Sequence, residues 1–392
     1  MTIKTRDEAD IIEDNLRYHR ALGVDFFVVA DTGSTDGTTS ILERYERAGL
    51  VRLERLGGGI RDMWKGGEAR ITRIAGEMGA DWVLHNDADE FWRPLTGNLK
   101  DALASVPEGY GMVLAPRADF VARPDGEGPF WERLTVRERR FRRPPKTAHR
   151  SHPHVVMRGP HPIEIWVDRG GSPRQGLVGK PVRRTQAEHV EENELDLLLA
   201  PTFPLAVLHF PFRSASQYRR RVAIAVENRQ LKDGAVRQAY ETGQLDEVYA
   251  KLTLEDEAVE RGIEEGWLVE DTELRDFLAA CPNPLEGGSA PPGPRAWAED
   301  RRERELAELE RDAMYALSRY LQTHAYQAQA RRGARRAERA LRSEVRRHRR
   351  SEHNRRRRVR RLRRRANRLQ KLESSLWWRL RPRLPRPRRR GD

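Results

Sequence analysis

The chain of 392 residues carries a formal net charge of +14, with 38% hydrophobic and 34% charged residues; it is long enough for two domains of ordinary size but too polar to be one compact globule throughout. No apolar run approaches the ~18 residues of a membrane span, no signal peptide opens the chain, and the single cysteine, Cys281, excludes an intrachain disulfide framework or a cysteine-rich zinc site and fits a reducing compartment. The charge is local: residues 331–392 hold 28 Lys and Arg against 5 Asp and Glu, and residues 1–330 hold 46 against 55, so a mildly acidic body carries a strongly basic tail.

Met1 to Thr5 reads as a short strand, followed by a helix in "RDEADIIEDNLRYHRALG", whose Ile11, Ile12 and Leu16 share one stripe and whose end is Gly23. "VDFFVVAD" is a buried-strand pattern, "TGSTDGT" a turn, "TSILERYERAG" a second helix ending at Gly49, and "VRLERL" a third strand. After Gly57-Gly58-Gly59 a third helix, "WKGGEARITRIAGEMGA", leads into the strand "DWVLHND". This alternation predicts βαβ units and a mostly parallel sheet with ligands at the carboxyl ends of its strands, where Asp31 and the cluster Asp87, Asp89 and Glu90 would share a crevice. Strand-like pieces follow in "GMVLAP", "RLTVRERRF", "HVVMRG", "PIEIWV" and "LAVLHF", then two helices in "SQYRRRVAIAVENRQLKDG" and "LEDEAVERGIEEG", then a linker in "CPNPLEGGSAPPGPRAW". No internal repeat is present.

Three carboxylates at the end of a buried strand repel one another and lose hydration, which opposes ionisation unless a cation sits there. Two of them two residues apart, Asp87 and Asp89, suit one hard divalent ion such as Mg²⁺ or Mn²⁺; the alternative is a solvated acidic loop. In "ADTGSTDGT", Gly33 makes a tight turn and Ser34, Thr35 or Asp36 caps the next helix, worth ~1 kcal/mol. That leaves Asp31 unexplained. His149, His152, His154 and His161 cluster in sequence, yet Pro153 and Pro162 break any helical face, so a zinc site is disfavoured.

Both acidic stretches, with "LTVRERR", "KTAHRSHP" and "VLHFPFRS", resemble the family 2 glycosyltransferases of the GT-A fold over Met1 to about Phe212. The resemblance implies an α/β, Rossmann-like domain and an enzyme that moves a sugar from a nucleotide-sugar donor to a surface-glycan or lipid-linked acceptor. It implies that Asp31, with Asp7 or Glu8 nearby, contacts the nucleotide, and that Asp87 and Asp89 hold Mn²⁺ or Mg²⁺ against the diphosphate. His209 is a candidate third metal or diphosphate contact, Arg70 and Arg73 are candidate diphosphate partners, and "KTAHRSHP" falls on the acceptor side. Glu164, with His161 behind it, is the candidate general base, with Glu132 and Asp168 as alternatives. Where relatives often read Asp-Asn-Gly, this chain has Asp31-Thr32-Gly33, which removes one possible nucleotide contact.

The expected organisation is a GT-A domain at 1–213, a helical extension at 214–282, a linker at 283–298, an Arg-rich helical or coiled-coil segment at 299–376 and a basic tail at 377–392. The spacing Leu306, Leu309, Ala313, Ala316, Tyr320, resumed at Leu362, Ala366, Leu369, Leu372, Leu376, is that of a coiled-coil seam and would permit a homo-oligomer. Trp377, Trp378 and Leu380 amid arginines suit an anionic lipid surface, placing the protein in the cytoplasm or peripherally on the inner face of the cell membrane; nucleic acid is the rival partner. A second reading makes the tail the functional part, on a GT-A-like body without catalytic activity.

Overall fold

The computed structural model describes residues 1–56, 67–95, 97–106, 111–141, 143–151 and 205–286, the backbone of three short strands between 155 and 175, and positions 309, 312 and 367. The chain divides into two compact units, Met1–Leu321 and Gln322–Asp392, and the sheets with their helices belong to the first. The expected coiled coil and tail lie outside the described residues, apart from those three positions.

The first half follows the expected order: β1 (Thr2–Thr5), α1 (Ile12–Ala21), β2 (Phe27–Asp31), α2 (Thr38–Arg47), β3 (Val51–Arg55), α3 (Glu68–Glu77) and β4 (Trp82–Asp87). There follow β5 (Glu90–Pro94), α4 (Leu99–Ala104), β6 (Met112–Asp119), α5 (Phe130–Arg133), β7 (Val136–Glu138) and β8 (Arg143–Arg150). Strands β9 (Val155–Met157), β10 (Ile165–Asp168) and β11 (Pro173–Gln175) form a small separate sheet, and β12 (Leu205–His209) returns to the main one. Helices α6 (Ala215–Glu227), α7 (Gly234–Thr242), α8 (Leu245–Leu252), α9 (Asp256–Glu264) and α10 (Glu273–Ala280) complete it, with β13 (Leu268–Glu270) before α10 pairing with β7.

The main sheet has the order β3-β2-β1-β4-β8-β6-β12-β5. β3, β2, β1 and β4 run parallel, as does β12 beside β6; β8 runs against both β4 and β6, and β5 against β12. Alternation along each strand supplies both faces. Ile3, Val29, Leu53 and Leu84 join Leu16, Tyr45 and Leu99 in the largest core, while Val28, Ala30 and Val83 pack on the other side with Ile71 and Ala75 of α3.

The structure departs from the sequence reading in three places that shape the site. The first helix begins at Ile12, and residues 6–11 form a loop in which Asp7 adopts φ 55°. "EFWRP", given no element in the sequence reading, is the wholly buried strand β5, so only Ala88 and Asp89 separate it from β4. "RPPKTAHR", expected on the acceptor side, is the central strand β8; its prolines fall where the register with β6 slips between Ala115 and Arg117, which is where a missing N–H is tolerated.

Helix α1 ties the acidic turn to the core through two polar residues on its buried face. Asn15 Nδ2 donates to the carbonyls of Ala88 (2.9 Å) and Glu90 (2.7 Å), and its Oδ1 accepts from Asn86 Nδ2 at 3.2 Å. One turn on, His19 Nε2 accepts the Trp92 amide at 2.9 Å, and Trp92 Nε1 donates to Asn86 Oδ1 at 3.0 Å. Replacing Asn15 by Ala should therefore cost about 3 kcal/mol, read as a lowered denaturation midpoint, since two buried carbonyls lose their donor. Asn15→Asp should cost more, because it aims carboxylate oxygens at those carbonyls.

Burial holds His19 near pKa 3 and His149 near 4, both neutral in the folded state. A depressed folded pKa means that this stability is present above the unfolded value of 6.5 and is lost as pH falls through it toward the folded value. By pH ~4.5 the loss from His19 alone should reach roughly 2–3 kcal/mol. Denaturant melts across that range should show the fall, and His19→Gln, which keeps an acceptor for the Trp92 amide and does not titrate, should remove the His19 share of it while the His149 share remains.

Candidate active site

A cavity of about 350 Å³ opens at the carboxyl ends of β1 and β4, lined by the 4–8 segment, Thr32, residues 87–89, Arg117, His209, Gln217, Arg221 and Ile224. It gathers Asp7, Glu8, Asp87, Asp89 and His209 from separate stretches of sequence. Two larger cavities lie elsewhere: one of about 500 Å³ between α1 and the segment around Cys281, and one of about 430 Å³, mostly apolar, beside Gly23, Met78 and Leu103. The smaller one is the candidate because it sits at the strand ends of an α/β sheet and alone of the three combines several cations with several carboxylates.

The acidic turn is held by protein cations. Lys146, from the middle of β8 and only 1% exposed, places its Nζ 2.7 Å from Asp87 Oδ2 and 2.8 Å from Glu90 Oε2. Arg117 of β6 donates to Glu90 Oε1 at 2.6 Å, and Lys4 Nζ stands 3.2 Å from Asp87 Oδ1. Burial works to raise the Asp87 pKa, but Lys146 and Lys4 outweigh it and hold the carboxyl well below its usual range. Asp89 faces other partners: Arg221 Nη1 at 3.0 Å and His209 Nε2 at 3.3 Å, both on Oδ2. His209 Nδ1 meets Asp119 Oδ1 at 2.8 Å; burial opposes protonation, and the two flanking carboxylates prevail, raising the imidazole to about 9.

Behind the cavity Arg213 is buried and forks onto two acids of the 6–11 loop. Its Nε and Nη2 reach Asp10 at 2.8 and 3.2 Å, Nη2 also donates to Glu8, and Nη1 donates to the Phe210 carbonyl at 3.0 Å. The fork welds the chain after β12 to the loop before α1.

Asp31 is not among the residues lining the cavity. Its Oδ1 accepts from the amides of Gly33 (3.1 Å) and Ser34 (2.9 Å) and from Ser34 Oγ (2.7 Å), and Oδ2 accepts from Thr39 Oγ1 at 2.6 Å. Asp7 is engaged with the same loop, accepting from the Thr35 amide at 2.6 Å while its own amide donates to Ser34 Oγ at 2.9 Å. "TGSTDGT" thus knots two loops together, with Gly33 and Gly37 at φ 95° and 103°, where a side chain would be strained. Thr32 is the residue of this loop that reaches the cavity.

Arg70 pairs with the buried Glu54, and Arg73 with Glu77 at 3.6 Å, both on the exposed side of α3 and away from the cavity lining. Glu164, His152, His154 and His161 lie outside the described residues, as does the side chain of Asp168. His149 is buried and stacked on His85 at 4.9 Å between ring centroids. Glu132 sits on α5, outside the cavity lining. The sequence reading missed Lys4, Arg117, Lys146, Arg213 and Arg221. Lys146 and Arg213 stand within the quoted motifs "KTAHRSHP" and "VLHFPFRS", and their signal was a basic residue in a buried strand for Lys146 and just after one for Arg213.

A hard divalent ion requires carboxylate oxygens with room for water and phosphate. Asp87 does not offer this, since each of its oxygens faces an ammonium group. Asp89 fits once His209 gives up its Nε2 proton and Arg221, 46% exposed on its side chain, leaves Oδ2. Among the described residues no three His, Cys, Asp or Glu are placed to share one ion, so the remaining ligands would be waters and donor phosphates, a common pattern for Mg²⁺.

The family model of glycosyltransferase family 92 matches residues 5–106, about a quarter of the chain and the part that carries both acidic stretches. It supports a glycosyltransferase; the family 2 placement rests on the motifs alone. No curated protein matches. Among solved structures, S. aureus TarS is 23% identical with a TM-score of 0.23, over 32% of this chain and 22% of that one; TarS 1–349 in complex with UDP-GlcNAc gives the same identity and score over 35% of its length. An overlap of at most about a third of those chains carries no statement about function.

Arg213→Met should leave the part-buried Glu8 and the Phe210 carbonyl without their donor, while the more exposed Asp10 keeps Arg220 at 3.6 Å, and cost roughly 2–3 kcal/mol in denaturant melts. Arg213→Lys, which keeps charge but not the fork, should fall between.

Proposed function

We propose that this chain is a metal-dependent glycosyltransferase that passes a sugar from a nucleotide-sugar donor to a surface-glycan or lipid-linked acceptor. The observation that carries the reading is the convergence of Lys4, Arg6, Arg117 and Arg221 with Asp87, Asp89 and His209 on one cavity at the strand ends, in the part of the chain that matches a glycosyltransferase model. Each of the four cations is paired with a carboxylate in this structure, and the partly exposed Arg221 is the one that suits a diphosphate, the group that must be bound and then stabilised as it leaves. Thr32, Asp7 and Glu8 form the wall on the β1 and β2 side, where the nucleoside would lie.

Mn²⁺ or Mg²⁺, held by Asp89 and His209, would supply further charge neutralisation at the diphosphate. Arg221, 46% exposed on its side chain and attached to Asp89, is placed to exchange that carboxylate for a phosphate oxygen when donor arrives. Glu164 stays the proposed base, since an attacking hydroxyl needs a proton acceptor.

The acceptor, and a peripheral contact of the basic tail with the inner face of the membrane, belong to the same proposal and rest on the 28 Lys and Arg of residues 331–392. So does a homo-oligomer through the helical segment. No helix among the described residues is long and apolar enough to cross a membrane.

Calorimetry of the full chain with UDP and GDP, with and without Mn²⁺, tests the reading. One nucleotide should bind, more tightly with Mn²⁺, and Asp89→Asn should weaken it by about tenfold or more. A folded protein that binds neither nucleotide under either condition would sink the transferase reading.

A further inference from the structure

Lys146 is the least exposed ammonium in the described part of the molecule, and it is bracketed by two carboxylates, Asp87 Oδ2 at 2.7 Å and Glu90 Oε2 at 2.8 Å. It comes from β8, a central strand whose register puts it beside Ala115 of β6 and whose other edge pairs with β4, so its position is fixed by the sheet. Glu90 is fully buried, its Oε1 taken by Arg117 at 2.6 Å and its Oε2 also accepting the Asp87 amide at 3.2 Å. Asp87 Oδ1 faces Lys4 at 3.2 Å. Two carboxylates here meet three protein cations, so this side of the turn is neutralised before any ion arrives. A divalent ion at Asp87 would stand against two ammonium groups within contact distance. Asp89 points the other way, toward the partly exposed Arg221 and toward His209.

We propose that the Lys146 ammonium is the cation for which the Asp87 and Glu90 side of the acidic turn is built. Lys146 is then a positioning residue: it fixes Asp87 and Glu90, removes Asp87 from the metal ligands, and confines a divalent ion to Asp89, His209 and the donor's phosphates. The last part rests on the glycosyltransferase reading; the pairing of Lys146 with Asp87 and Glu90 does not.

Mn²⁺ binding to the full chain, followed by the loss of the free-ion electron paramagnetic resonance signal, tests this with and without UDP or GDP. Asp87→Asn should bind Mn²⁺ as wild type does, within about threefold, whereas Asp89→Asn should lose about tenfold or more. Without nucleotide, Lys146→Met should bind Mn²⁺ about tenfold tighter than wild type, because two facing carboxylates have lost their ammonium. Mn²⁺ should also raise the melting temperature of Lys146→Met, including a variant that folds poorly without it. Lys146→Arg, which keeps the charge, should do neither. The proposal is overturned if Asp87→Asn weakens Mn²⁺ as much as Asp89→Asn, or if Lys146→Met is neither bound more tightly nor stabilised by the ion. Expected results in the nucleotide-free arms with no binding of either nucleotide would keep the proposal and remove the transferase reading.

Discussion

The constraint on which the rest of the structure depends is the neutralisation of three carboxylates packed into four consecutive residues at the end of β4. Asp87 and Glu90 are met by Lys146, Lys4 and Arg117, and Asp89 by Arg221 and His209. These partners come from β1, β6, β8, β12 and α6, so the turn forms only when strands from both halves of the sheet are in register. Buried ion pairs add little net stability compared with apolar packing, but removing one member leaves a charge with nowhere to go. The turn therefore acts as a check on the assembly of the sheet. The cavity inherits its charge pattern from the same pairs.

The polar face of α1 performs the matching task for the backbone. A two-residue turn between a central strand and a strand at the far edge of the sheet leaves carbonyls that no ladder can satisfy. Asn15 supplies the donors, and His19 accepts the Trp92 amide one turn later. This accounts for two sequence stretches about 70 residues apart, "NLRYH" and "NDADEFW", as one interlocking unit. A helix that would otherwise be read by its Ile and Leu stripe carries its more specific content in the polar residues between them.

How far the sequence discloses this follows from the range of each signal. The alternation of β1 to β4 with α1 to α3 is legible because periodicity is local, and Asp87, Asp89 and His209 are legible as site candidates because Asp87 and His209 end strands at the ligand-binding edge and Asp89 lies in the turn just after one. Asp31 shares that position and is still consumed by its own loop, since Gly33, Ser34 and Thr39 sit within hydrogen-bond reach of it. β5 and β8 were illegible for opposite reasons. "EFWRP" is too short and too charged to look like a strand until Glu90 and Arg93 are seen to be paired, and the double proline of "RPPKTAHR" speaks against a central strand until the bulge opposite it is known. The protein cations are the hardest to foresee, because a lysine's partner is fixed by sheet order and not by spacing.

The closure of the site also reaches beyond the sheet. Arg213 joins the chain after β12 to the loop before α1, and two described positions of the segment expected to be helical or coiled-coil, Leu309 and Asp312, are likewise engaged with the body. Leu309 packs with Leu114, Ala118, Phe141 and Ala206, and Asp312 accepts the Phe141 amide at 3.1 Å and faces Arg140 at 3.4 Å. Leu114 and Ala118 lie on β6 and Ala206 on β12, the strands that also bring Arg117 and His209 to the cavity. A cut at the Pro- and Gly-rich stretch before residue 299 would uncover that apolar patch and leave the Phe141 amide without its acceptor. The body that carries the site extends at least to Asp312.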